Sequence, residues 1–225
     1  MTEPSHLVQE LRTPRAAAVA GIAFAVILGL AIILMHASVT SRVTDPGAWI
    51  EDASQRRTVG FALALIPYAG IAFLWFIGVI RHRLGANEDK LFATVFLGSG
   101  LLFVSMLFAA AAVMGSLLVL YGQPQSVGDD TIRLGGALTT ALLATFGARM
   151  AAVFTLVVTT LGRRTGIIPT WLVIVGYASA VVLLLTPPGA AWVQLVFPAW
   201  VLLLSLHILF GSSRTPSGAA PDEIE

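Results

Sequence analysis

Arg149 is the residue whose type and position point most directly to chemistry. It sits near the middle of a long apolar segment, residues 135–161. Leu161 lies twelve residues on, which is about 18 Å of helix at ~1.5 Å per residue. That is too far for a side chain to snorkel to the interface. A central arginine costs from roughly 3 to over 10 kcal/mol in a bilayer, so it must face a bundle interior or a watery cavity. None of the apolar segments contains Asp or Glu. Its donors must therefore go to hydroxyls, freed carbonyls, water or an anionic ligand. Gly147, two residues earlier, marks a place for a helix break. Two readings stand: an anchor inside the bundle, or a site for an anion, a lipid headgroup or a substrate. Tyr177 and Gln194 join Arg149 as candidate polar residues of the bundle core or of a ligand site.

The other reactive side chains assemble into nothing. His6 lies in the N-terminal tail, His36 at one end of the first apolar segment, and His82 and His207 toward the other side. A transmembrane haem needs paired axial ligands at one depth, and His36 has no such partner. Ser99 lies in Gly98-Ser99-Gly100, a setting reminiscent of intramembrane serine proteases. Their glycine two residues before the serine is Leu97 here, and no histidine base is suitably placed. Glu88 and Asp89 read as a solvated cap for the third segment. With no cysteine, disulfides and thiolate metal sites are excluded. A net charge of +1 leaves no basic face for nucleic acid. The expectation is a protein without metal, cofactor or enzymatic activity.

The elements that must position Arg149 follow from composition. Of 225 residues, 57% are hydrophobic and 11% charged, and the mean hydropathy is +0.88. Soluble domains keep about a quarter of their residues charged. Six apolar segments fill most of the chain, at about 16–38, 58–80, 91–120, 135–161, 168–186 and 191–210. Each has the ~20 residues that a membrane crossing needs. The fold class is therefore all-α: a polytopic bundle of six transmembrane helices. Residues 1–15 form a polar tail, and residues 211–225 a small, polar, disordered one. The first segment is longer than a signal-peptide core and has no A-x-A site, so it reads as an uncleaved helix.

Orientation follows from the basic residues. Arg12, Arg15, Arg81, Arg83, Lys90, Arg163, Arg164 and Arg214 fall on one side, against Arg42, Arg56, Arg57 and Arg133 on the other. Both termini are expected to be cytoplasmic. Trp75, Trp171 and Trp192 fall near the interfaces, whereas Trp200 and Tyr177 lie deeper. In the loop 44–57, Asp45 and Pro46 suit a helix start, and Trp49, Ile50 and Ala53 share a face. A short amphipathic helix on the outer membrane surface is expected, with a lid over a cavity as its functional alternative.

Ala17, Gly21, Ala25 and Gly29 put a small residue at every fourth position of the first segment. Such a stripe lets helix backbones approach closely, within the chain or in a homodimer. Pro67 and Pro198 each remove a backbone donor. Kinks are expected at both, freeing the carbonyls of Leu63 and Gln194. Lys90 is the one lysine among 13 basic residues, a usage that points to a GC-rich bacterium.

The stretch from Gly147-Ala148-Arg149-Met150 to Phe154, then Arg164-Thr165-Gly166-Ile167-Ile168-Pro169-Thr170-Trp171-Leu172, resembles a group of six-helix integral membrane proteins of actinobacteria. Their mark is an R-T-G-x-x-P-x-W-L turn before the fifth span. Position 170, often basic in that pattern, is Thr here. The resemblance covers the six-span layout in outline and residues 147–172 in detail. It implies a multi-pass protein of a bacterial inner membrane and supplies no activity. Two functions are carried forward. One is a non-enzymatic membrane component that binds a partner protein or lipid. The other is a small transporter or permease for an anionic or amphipathic solute, using Arg149.

Overall fold

The computed structural model describes residues 5–39, 47–84, 90–122, 128–187 and 190–211. Among these residues every regular element is helical. Helix α1 spans Ser5–Val39, α2 Ala48–Glu51, α3 Ala53–Leu84 and α4 Lys90–Tyr121. A fourth long helix, Asp129–Arg164, has three parts: α5 (Asp129–Thr140), a π-helical segment (Ala141–Gly147) and α6 (Ala148–Arg164). Helix α7 spans Thr170–Leu185. A 3₁₀ turn, Ala191–Leu195, leads into α8 (Val196–Gly211).

Five helices are long and apolar enough to cross a membrane: Arg15–Val39, Ala53–Arg81, Leu91–Tyr121, Asp129–Arg164 and Trp192–Gly211. The expected fifth segment, 168–186, is a shorter apolar helix of 16 residues, about 24 Å against a ~30 Å hydrocarbon core. Prolines trim it at both ends. Pro169 occupies its N-cap position, and Thr186 is extended at ψ 130°, as a residue preceding Pro187 should be. At the N-terminus, the helix reaches back to Ser5, well into the expected polar tail. The expected disordered tail lies outside the described residues beyond Gly211.

Neighbouring helices run antiparallel. The Arg164 guanidinium lies over the Phe92 ring, 4.7 Å from its centroid, so the end of α6 meets the start of α4. Arg56 lies over Tyr121 at 5.0 Å, joining the start of α3 to the end of α4. Between α6 and α7 the chain closes a tight turn. Thr165 N–H donates to Leu161 O (2.9 Å) and Ile168 N–H to Gly162 O (3.3 Å). Gly166 sits at φ +69°, in the left-handed region that glycine enters without a Cβ clash.

The middle of the bundle is aromatic. Phe24, Phe73, Phe103, Phe154, Phe197 and Trp200 are all buried. They come from α1, α3, α4, α6 and α8, and adjacent ring centroids lie 4.5–6.5 Å apart. That spacing is the range of favourable tilted and edge-to-face pairs. By contrast Trp75, Trp171 and Trp192 are 68%, 52% and 63% exposed.

The small-residue stripe of α1 is occupied inside the chain. Ala17, Gly21 and Ala25 are buried. A Cβ added at Gly21 would collide with Ser205 Oγ and come within 2.9 Å of Phe76. Gly29 departs from the pattern, since nothing lies within 4 Å of its would-be Cβ.

The two prolines differ. Helix α3 continues through Pro67. Pro198 lies in the first turn of α8, directly after the 3₁₀ turn. There a missing N–H costs little.

Candidate functional site

A cavity of about 310 Å³ occupies the half of the bundle that holds the ends of α1 and α4 and the start of α3. Its walls come from α1, α3, α4, the α5–π–α6 helix, α7 and the 3₁₀–α8 junction. Phe103 and Phe197 form its deep end, where the aromatic cluster closes the bundle. Along α1 the lining runs from Leu28 to Val39, and along α4 from Phe103 to Met114. Eleven residues of helix make the cavity roughly 16 Å long. Alanines create the room: Ala31, Ala110, Ala111, Ala144, Ala148 and Ala151 all line it. Large rings below hold the helices apart, and methyl groups cannot fill the gap between them.

Polar side chains line this cavity as well. They are His36, near the end of α1, Thr139 and Thr140, at the end of α5, and Gln194, one turn from Phe197; among the described residues no Asp, Glu, Lys or Arg lines it. His36 Nδ1 lies 2.9 Å from the Ile32 carbonyl. A carbonyl only accepts, so Nδ1 carries a proton, and Nε2 is left for another partner. Thr140 Oγ1 donates to Gly136 O (2.9 Å). The buried Thr139 Oγ1 has no hydrogen-bond partner among the described residues.

Arg149 does not line the cavity. Its Nη1 donates to the carbonyls of Ala144 (2.8 Å) and Thr145 (3.0 Å), one turn back on the same helix. The π-helical segment explains why these carbonyls need a donor. Ala148 N–H bonds to Leu143 O, five residues back. Where the spacing returns to four, one carbonyl loses its amide partner. A side chain supplies the missing donor, which is how irregular backbone persists in an apolar setting. Of the acceptors raised by the sequence, backbone carbonyls take the Nη1 donor. Ala144 and Ala148 themselves line the cavity, so Arg149 shapes its wall from behind.

Helix α2 lies beside the cavity. Trp49 is 4% exposed and Ile50 0%. They pack with Val59, Met114, Leu117 and Ile132, and against Met35, Val39 and Leu63. Of these, Met35, Val39, Leu63 and Met114 also line the cavity. The expected amphipathic helix is thus a single turn whose apolar residues face protein, not the membrane surface. It ends at Asp52, which is extended at ψ 117°. Asp52 Oδ1 accepts the N–H groups of Ser54 (2.7 Å) and Gln55 (3.2 Å) and so caps α3. The expected cap at Asp45 and Pro46 lies outside the described residues. Arg56 ties α2 down: its Nη1 donates to Ile50 O (2.6 Å) and Glu51 O (2.7 Å).

Tyr177 is elsewhere, with its hydroxyl 3.1 Å from Thr160 Oγ1, linking α7 to α6. Nearby, Gly176 brings together two buried polar atoms, Thr159 Oγ1 and Trp200 Nε1, neither with a partner among the described residues. Ser99 Oγ donates to Val95 O (2.7 Å), an ordinary back-bond within a helix. Among the described residues no group of His, Asp and Glu is placed to hold a metal ion. Of the three polar candidates from the sequence, the structure brings only Gln194 to the cavity. His36 and Thr139 were missed; their signal was position, since both fall near the same end of their spans. Comparison with known proteins found no matching family model, no similar curated protein and no similar solved structure.

Proposed function

We propose that this protein is a multi-pass membrane protein, without enzymatic activity, that holds a lipid-like small molecule in the cavity of its bundle. The cavity itself carries the reading. It is elongated, lined mostly by apolar side chains with a few polar ones, and about 310 Å³ in volume, the pattern of a largely pre-formed ligand site. That volume is near the small end of the ~300–1,000 Å³ typical of such sites, which favours a compact ligand over a two-chain phospholipid.

The proposal takes α7 as a sixth crossing and both termini as cytoplasmic. Support for the sixth crossing is the reach of α7. A Cβ at Gly162 would collide with Ile168, just before the helix, while Leu183 near its far end lines the cavity. Support for the orientation is the surplus of arginines on the Arg81–Arg164 side. The cavity then opens toward the outer leaflet of a bacterial cell membrane.

Mass spectrometry of protein released gently from its native membrane tests this reading. The expected result is a stoichiometric small amphipath, absent from the Ala111→Phe variant whose new ring occupies the cavity. A folded wild-type protein that carries nothing, and that takes up no amphipath when one is supplied, would overturn it. A second reading, a small permease, draws on the π-helical segment in the cavity wall, since such segments mark places where helices change register. Solute flux into proteoliposomes, abolished by Ala111→Phe, would favour the permease; binding without flux favours the holder.

A further inference from the structure

We infer that the cavity selects a single-chain molecule of about a dozen carbons with an uncharged, hydroxyl-bearing head. This rests on the ligand-binding reading above and goes on to name the ligand class. The tail follows from shape. A cavity roughly 16 Å long, bounded at depth by Phe103 and Phe197, matches an extended chain of about twelve carbons joined by ~1.5 Å bonds.

The head follows from the polar residues. Among the described residues no charged side chain lines the cavity, and a buried charge without a partner is strongly disfavoured. Arg149, the nearest cation in sequence to the lining alanines, has its Nη1 engaged by Ala144 O and Thr145 O. An anionic or cationic head would therefore meet no counter-charge among the described lining residues. His36 Nδ1 donates to Ile32 O, which leaves Nε2 for the head. The Thr139 hydroxyl stands in the wall without a partner among the described residues. A hydroxyl both donates and accepts, so it can pair with His36 Nε2 and with Thr139 Oγ1. A long-chain alcohol and a monoacylglycerol share this chemistry.

The test is photolabelling of the whole protein in lipid nanodiscs. The probe is dodecan-1-ol bearing a diazirine at the far end of its chain. Dodecan-1-ol, 1-dodecanoylglycerol, dodecane and dodecylamine serve as competitors. Labelling is expected near Phe103 and Phe197, displaced by one or both hydroxyl compounds at concentrations where dodecane and dodecylamine leave it intact. The stronger hydroxyl competitor identifies the natural source. His36→Leu and Thr139→Val should each weaken displacement about tenfold, the worth of one hydrogen bond. If a variant fails to fold, the competitor series on wild type decides alone. Displacement by dodecane or dodecylamine as effective as by dodecanol overturns the head assignment while leaving the cavity a binding site. Labelling confined to exposed faces such as Val26 and Tyr68, with no competition, overturns the binding reading itself.

Discussion

Arg149 donates to the carbonyl of Ala144, five residues back on its own helix, at 2.8 Å. This bond ties the most unusual residue of the sequence to the most unusual backbone of the fold. The π-helical segment frees a carbonyl, Arg149 occupies it together with Thr145 O, and Ala144 presents its methyl group to the cavity.

Arg149→Leu should therefore act first on residues 141–147. An unpartnered carbonyl in an apolar setting costs about 1–3 kcal/mol, so a lowered Tm is expected. Hydrogen exchange should rise in that segment before any other. Arg149→Lys should recover part of the loss, because an ammonium can donate to one carbonyl but lacks the guanidinium fork. Unchanged exchange over 141–147 in the leucine variant would show that the segment does not depend on this cap.

The cavity makes a contrary prediction for a larger side chain. Adding bulk to a close-packed interior costs about 1–3 kcal/mol. Ala111 lines open space, so Ala111→Phe should change stability by less than about 1 kcal/mol. A thermal unfolding series in one detergent decides it, with a drop of more than about 3 kcal/mol showing that the wall has no room.

Close packing at Gly176 gives the opposite outcome. A Cβ there would collide with Thr159 Oγ1 and reach 3.0 Å from Thr159 Cγ2 and Trp200 Nε1. Gly176→Ala should cost about 1–3 kcal/mol. Adding Thr159→Ala removes the colliding atoms, so the double variant should recover most of the loss. Additive losses would place the strain elsewhere.

Arg56 controls α2. Its hydrogen bonds to Ile50 O and Glu51 O and its stacking on Tyr121 are the polar contacts that hold this single turn. Arg56→Ala should leave the bundle intact but raise hydrogen exchange and protease cleavage over residues 47–55. Ligand exchange with the cavity should quicken as well. An unchanged exchange pattern would mean that Trp49 and Ile50 hold α2 by packing alone.

Thr139→Val tests the hydroxyl in the wall. Removing a buried, unpartnered hydroxyl should raise the Tm of the ligand-free protein, because its desolvation is not repaid by a bond. A fall in Tm would show that the hydroxyl has a partner after all.

Much of this protein was legible in the sequence because its signals are local. Runs of apolar residues marked the helices, and tryptophan positions marked the surface. Gly166 marked a turn that requires positive φ. The absence of carboxylates from the spans meant that Arg149 had to find neutral acceptors. A spacing of four also places Ala144, Ala148 and Ala152 on one helical face, but does not say what stands opposite. That depends on how far neighbouring helices are held apart, and the rings of Phe73, Phe103, Phe154 and Phe197 set the distance from four different helices. Only the tertiary structure could decide that Ala144 and Ala148 border a cavity, that Ala152 is buried in the core, and that His36, Thr139 and Gln194 line that same cavity. The π-helical segment is of the same kind. Residues 141–147 have no local feature that demands five-residue spacing, whereas packing on either side and the reach of Arg149 sustain it.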